Sequence, residues 1–427
     1  MLNRKVAPPI QDIRGLALPR PQTIRLDNGI PVYILDYPDQ EIVKIETVFR
    51  AGRPEEHKRL VARATSRMLR EGAARRTGAE IAEYIDFYGG SLSVPTNLDT
   101  ANILLFSLKK YVAELIPVYA EVLQQPTFPE TELETFKTTN TQDLLVELEK
   151  VEVLAYRKVT ALIFGDNHPY GYNSTPDDYT ALTRADLVWF YDRWYGPDNC
   201  LIFASGRVDD EVASLLNKHF GRHKSTGTAA GQQSVYPPPA DGPSGKSIVR
   251  LPHPGSLQTA VKIGRRSFNK RHPDFNGLFV LNTIFGGYFG SRLMTNIREK
   301  KGLTYNIYST LDAYLHDGCF YVATEVNAGS GDAAVREVFS EMKKLREKPV
   351  GDDELEMVRN YLLGMLLNGL DGPLNTSDVV RSLVTEGLTE LEFNAMTETI
   401  RTITPAQLQA LAGRYLRPED FWVVTVG

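Results

Sequence analysis

Gly286-Gly287-Tyr288-Phe289-Gly290-Ser291-Arg292-Leu293-Met294-Thr295-Asn296-Ile297-Arg298-Glu299-Lys300-Lys301-Gly302-Leu303-Thr304-Tyr305 is the stretch around which the chain is organised. It opens with three glycines in five residues, which suits a close backbone approach or turns at positive φ. Ser291 is placed to cap a helix, and Leu293, Met294 and Ile297 fall at helical spacing on one apolar face. Gly302 fits the C-cap, with Lys300 and Lys301 in the last turn, where cations complement the helix dipole. Leu303, Tyr305, Ile307 and Tyr308 then predict a strand. Arg298 stands near the helix end and Tyr305 follows seven residues later on the next element. On local pattern alone they read as a surface arginine and a half-buried strand tyrosine.

Outside this stretch the composition is that of an ordinary globular protein, 42% hydrophobic and 24% charged over 427 residues, long enough for two or more domains. A net charge of −5 offers no basic surface for nucleic acid. Cys200 and Cys319 are far apart and make neither a disulfide framework nor a CxxC metal site. The N-terminus lacks the apolar core of a signal peptide, and no apolar run approaches the ~18–20 residues of a membrane span. A cytoplasmic protein is expected, or a periplasmic one if a signal peptide has been lost.

Residues 1–22 are proline-rich and irregular, and are expected to form a strap over the first domain. Thr23 to Leu35 predicts a hairpin turning at Asn28-Gly29, and Val43 to Phe49 a further strand. Helices are predicted over 59–71, 79–88 and 111–123, and a long helical pattern runs from Glu130 to Phe164. Helix 184–194 and strand 201–204 close the first half. Residues 224–248 are a linker by composition, after which the same order of elements resumes.

The repeat is visible in the residues themselves. Thr183 to Gly206 and Thr404 to Gly427 align without a gap at an offset of 221, pairing Leu187 with Leu408, Arg193 with Arg414, and Pro197 with Pro418. Glu132-Leu133-Glu134 pairs with Glu354-Leu355-Glu356 at an offset of 222. Self-similarity at so long a period implies a duplicated domain. Hairpins mixed with long helices predict an α+β fold of two homologous α/β-sandwich domains, one over 23–223 and one over 249–427.

The duplicated unit, together with Gly89-Gly90-Ser91-Leu92, His168-Pro169-Tyr170-Gly171, Tyr195-Gly196-Pro197-Asp198-Asn199 and the Gly286–Tyr305 stretch, resembles the pitrilysin-like zinc peptidases. That group includes mitochondrial processing peptidase and insulin-degrading enzyme. Its active members hold zinc on an inverted H-x-x-E-H motif in the first helix of the first domain. Two histidines bind the metal and the glutamate serves as base, with a further glutamate downstream. The resemblance places the three motif positions on Arg63, Ser66 and Arg67, and the downstream glutamate near Glu152. Arginine and serine there cannot hold zinc, and two guanidiniums repel a dication.

No replacement centre is evident. Of the seven histidines only His219 and His223 share an i, i+4 spacing, with no acid between them, and neither a G-x-S-x-G elbow nor a P-loop is present. The resemblance therefore implies the zinc-free subunit of a heterodimeric peptidase. In such pairs an arginine and a tyrosine seven residues apart reach into the chamber and contact peptide, and Arg298 and Tyr305 match them. Met294, one turn earlier, is expected to shape the substrate pocket. No cofactor is expected in this chain. Zinc is expected in a homologous partner, with self-association possible without it. A structural or assembly protein of the same fold is the competing reading, and a peptidase acting alone through an unknown site is a third.

Overall fold

The computed structural model describes residue 13 and residues 15–222 and 248–427. The first half is built on a six-stranded sheet. Its strands are β1 (Gln22–Arg25), β2 (Pro31–Asp36), β3 (Ile42–Phe49), β6 (Ser91–Ser93), β7 (Ala101–Leu108) and β8 (Cys200–Gly206), with a small hairpin, β4 (Gly72–Ala73) and β5 (Arg76–Thr77), beside it. The order is β1-β2-β8-β3-β7-β6. The second half carries a five-stranded sheet of β9 (Ile248–Leu251), β10 (Gln258–Ser267), β11 (Ile307–Ala313), β12 (Gly318–Asn327) and β13 (Trp422–Val426), in the order β11-β12-β10-β13-β9. This is the α+β fold expected.

The homologous ends of the two halves repeat in atomic detail. Helices 184–194 and 405–415 each begin at a threonine cap, Thr183 and Thr404. Thr183 Oγ1 accepts from the Asp186 amide at 3.3 Å and Thr404 Oγ1 from the Gln407 amide at 3.3 Å. Reciprocal bonds from the cap amides to those acidic or amide side chains complete a capping box in each case.

Two helices lie on the opposite half. The run expected as one helix from Glu130 to Phe164 is broken at Leu148–Lys150, where Lys150 takes an extended backbone. The first piece (Glu130–Glu147) stays with the first half. The second (Val151–Phe164) crosses to pack on β10 and β13, where Ala155, Val159 and Ile163 meet Ala260, Val424 and Val426. The helix at the equivalent place in the second half, Gly372–Thr385, crosses the other way onto β8 and β2. The two halves thus hold each other by reciprocal exchange of one helix.

The N-terminal strap also departs from expectation. Its described part touches both halves: Leu16 is buried in the core of the second with Ile13 beside it, the Ile13 carbonyl accepts from Arg401 at 3.2 Å, and Leu18 packs there and also against the cluster of Leu35, Val48 and Phe203 in the first. Of the linker 224–248, all but Ile248, which opens β9, lies outside the described residues, as does His223.

Candidate functional site

The helix bearing Arg63, Ser66 and Arg67 is Val61–Met68. It starts from Leu60, a buried non-glycine residue at φ 69°, a strained conformation that the surrounding contacts must enforce. The enforcement is visible: the Tyr172 hydroxyl donates to Glu56 at 2.6 Å, and the other Glu56 oxygen accepts from the Ala62 amide at 3.1 Å. Burial pushes the Glu56 carboxyl up to about 7 and that of its neighbour Glu55 up to about 8. Sequence reasoning missed both acids, because nothing in Glu55-Glu56 distinguishes them from a solvated pair.

Arg63 donates to the Asn140 side chain at 3.0 Å and Arg67 to the Thr96 hydroxyl at 3.4 Å. Together with Ser66, which is 8% exposed, they line a small cavity of ≈ 50 Å³. Burial first, then the neighbouring Arg70 and Arg63, hold the Arg67 guanidinium below its usual range. The side chain that helix 130–147 turns towards Arg63 is Asn140, not Glu152. Glu152 is on the crossing helix and lines a different cavity. The break at Leu148–Lys150 puts it on the helix that packs on the other sheet.

The Gly286–Tyr305 stretch is more tightly wound than expected. A Cβ on Gly286 would lie 2.5 Å from the Ser309 hydroxyl, so glycine is required for the approach to β11. The Ser291 hydroxyl accepts from the Met294 amide at 3.4 Å, as a cap does. Met294–Lys300 winds as a π-helix, a form concentrated at functional sites. Gly302 ends it at φ +59°, donating to the Arg298 carbonyl at 3.1 Å. The strand begins only at Ile307, so Tyr305 precedes it. The Thr304 hydroxyl, with bonds to the carbonyls of Asn306 at 3.0 Å and Glu325 at 2.6 Å, fixes this bend in place of ladder bonds.

The Arg298 guanidinium is stacked between two rings, 4.6 Å from the centre of Phe289 and 5.2 Å from that of Tyr305. Both rings are exposed, Tyr305 to 87%. Met294 is the exception among the expected contacts: it is 5% exposed and belongs to the core of the second half. It shares the buried face of Leu293 and Ile297, so it offers no wall to a peptide, and Phe289 is the apolar side chain beside Arg298. Tyr305 borders a polar cavity of ≈ 310 Å³ with Glu152, Lys262 and Glu325. Lys262 is 7% exposed; burial lowers its pKa, against the pull of Glu152 and Glu325. The Arg63–Arg67 cavity and the Tyr305 cavity share no lining residue.

Residues 181–362 match the family described as Peptidase M16 inactive domain. An uncharacterized zinc protease of Mycobacterium leprae is 27% identical over 357 residues, covering 82% of this chain and 78% of its own length. Another, from Bacillus subtilis, is 22% identical over 403 residues, covering 92% and 95%. Part of the chain thus matches the M16 family model, and relatives named as zinc proteases align with most of its length. Its fold agrees: the crystal structure of a peptidase M16 inactive domain from Pseudomonas fluorescens superposes with a TM-score of 0.85 at 23% identity, covering 96% of this chain and 98% of that one. A protease from Helicobacter pylori gives 0.88 at 16% identity, covering 96% and 99%.

The relatives' names carry zinc, but the side chains at the corresponding positions of this chain do not suit it. At the motif positions Arg63 and Arg67 offer fixed cations without a lone pair, and Ser66 no carboxylate. Among the described residues no group of three or more His, Cys, Asp or Glu side chains could hold a metal. His219 sits at the end of helix 210–220, where its carbonyl accepts from Gln124 at 2.9 Å and burial lowers its imidazole pKa. The donors at the three positions that the resemblance assigns to the motif do not fit zinc. Among the described residues no helix is long and apolar enough to cross a membrane.

Proposed function

We propose that this chain is the zinc-free member of a two-subunit M16 peptidase. It binds the peptide and completes, through Arg298 and Tyr305, a hydrolytic site whose zinc belongs to a homologous partner. One observation carries the reading: Arg298 is clasped by Phe289 and by a Tyr305 that is 87% exposed, on a backbone fixed by a required glycine and a capped π-helix. An arginine held between two rings is pre-organised, so little freedom is lost when its fork meets peptide carbonyls. A tyrosine hydroxyl left in solvent is free to donate to an oxyanion as water attacks the amide. A pure scaffold has no use for such a group.

Reconstitution tests this. The purified chain alone is inert towards peptides and insensitive to chelators. Mixed with a zinc-bearing M16 homologue from the same organism, it forms a 1:1 complex by light scattering, and peptide cleavage appears only in the mixture. A zinc subunit equally active without this chain refutes the proposal and favours an assembly role.

A further inference from the structure

The three positions that the resemblance assigns to the zinc motif carry two fixed cations and a hydroxyl, Arg63, Arg67 and Ser66. Arg53, Arg63 and Arg67 all line the same ≈ 50 Å³ cavity. Arg53 is engaged with backbone, its Nη1 donating to the Pro169 and Tyr172 carbonyls at 3.3 Å each, and it stacks on Tyr172 at 4.3 Å. Arg63 and Arg67 meet only neutral oxygens, those of Asn140 and Thr96. The nearby Glu71 pairs instead with Arg70, at 3.3 Å. Among the described residues, then, no carboxylate is within ion-pair distance of either the Arg63 or the Arg67 guanidinium; Glu71 acts on Arg67 only from farther off, and Arg67 is half-buried. Ser66, Thr96 and Thr100 add hydroxyls to the wall. At about 10–15 Å³ for each water, the cavity has room for only a few waters, which is the size of a carboxylate and too small for a ring.

We propose that this cavity is an anion subsite that takes a carboxylate of the bound peptide, in the fork of Arg63 and Arg67. Guanidiniums match carboxylates in geometry as well as charge, and a pair with no carboxylate in ion-pair range is open to one from outside. The carboxylate is either the peptide's C-terminus or an Asp or Glu side chain. Only this origin rests on the peptide-binding reading; the anion subsite itself does not.

Two measurements test it. In thermal melts of the isolated chain at constant ionic strength, acetate replacing chloride raises the melting temperature of the wild type and leaves Arg63→Gln/Arg67→Gln unmoved. Fluorescence anisotropy then uses one labelled peptide in four forms: free or amidated C-terminus, crossed with internal Asp or Asn. The wild type loses about tenfold in affinity on amidation or on the Asp-to-Asn change, and whichever one does it identifies the source. Arg67→Lys, which keeps the charge and loses the fork, guards against a double variant that does not fold; it too loses most of the discrimination. Equal binding of all four peptides by the wild type, or an acetate response retained in the double variant, overturns the proposal. A chain that responds to acetate yet activates no zinc-bearing homologue leaves this subsite standing and refutes the two-subunit reading alone.

Discussion

The two exchanged helices cover equivalent sheet faces and do so with opposite chemistry. Under helix 372–385, Lys44 and Glu46 of β3 are each 2% exposed. Lys44 meets Asp378 at 2.6 Å and Glu46 at 3.5 Å, Arg381 comes within 3.1 Å of Glu46, and Asn102 donates to Glu46 at 2.6 Å. Under helix 151–164, Lys262 of β10 is almost as deeply placed, but no carboxylate lies within ion-pair distance of it among the described residues. Glu152 and Glu325 stand off across the ≈ 310 Å³ cavity that Tyr305 borders. One face is locked by charge; the other keeps an opening beside the arginine–tyrosine pair. A duplicated fold has been divided into a holding half and a presenting half.

The largest effect should come from cutting the lock. Lys44→Met leaves Glu46 buried with Arg381 and Asn102 as its remaining partners, and removing one member of a buried ion cluster costs about 3 kcal/mol. Lys262→Met removes a buried cation that has the rings of Tyr156 and Tyr321 near it but no carboxylate within ion-pair distance among the described residues, so its effect should fall within about 0.5 kcal/mol of zero or be stabilising. Urea unfolding of the two variants side by side checks the contrast, and equal losses would erase it.

Next come the side chains of the presenting half. In the reconstituted complex, Tyr305→Phe removes one donor and keeps the ring over Arg298; kcat should drop on the order of tenfold to a hundredfold, at or below the low end for a lost oxyanion donor. Arg298→Ala should also raise KM, because it removes ground-state contact with the peptide. Neither should shift the melting temperature of the isolated chain, since Tyr305 is exposed and Arg298 only half-buried. Unchanged kinetics in both would make the open face incidental.

The smallest effect is a difference in pH slope. Glu55 and Glu56, at the start of the first-half helix, have folded values of about 8 and about 7, above their ordinary 4.5. The folded state binds their protons more tightly, so their contribution is complete below about 4.5 and is lost as pH rises to about 8. Lys262 has its value lowered by burial, so the unfolded state binds that proton more tightly and stability rises with pH below 10.5. Melts from pH 5 to 8 should therefore flatten in Glu56→Gln. Melts at alkaline pH should lose their rise in Lys262→Met.

The duplication was legible because it is written in caps and turns: Thr183 and Thr404, Pro197 and Pro418, at a constant offset. The Gly286–Tyr305 stretch was legible for the same reason, since Gly286, Ser291 and Gly302 are local signals answered by local bonds. What escaped was tertiary. The helical pattern of 130–164 carries no proline or glycine at Leu148–Lys150 to announce the break, because it is the distant face at Ala260 and Val424 that draws Val151–Phe164 away. Met294 was expected at the substrate pocket through the resemblance alone, whereas its helical spacing with Leu293 and Ile297 marked the apolar face that the structure buries. Nothing local in Leu16 tells which half buries it; the structure puts it in the core of the second.

The exchange of helices has a consequence for the order in which the molecule can be made. Helix 151–164 emerges from the ribosome with its strip of Val151, Ala155, Val159 and Ile163 ready, yet the surface it needs is finished only when Trp422–Val426 has joined the sheet. More than half the chain is synthesised in the interval, and loop closure over such a separation is slow. A ribosome-bound chain stopped at the linker should present that strip to chaperones. The two halves made as separate fragments should find each other in solution, each supplying the helix the other lacks.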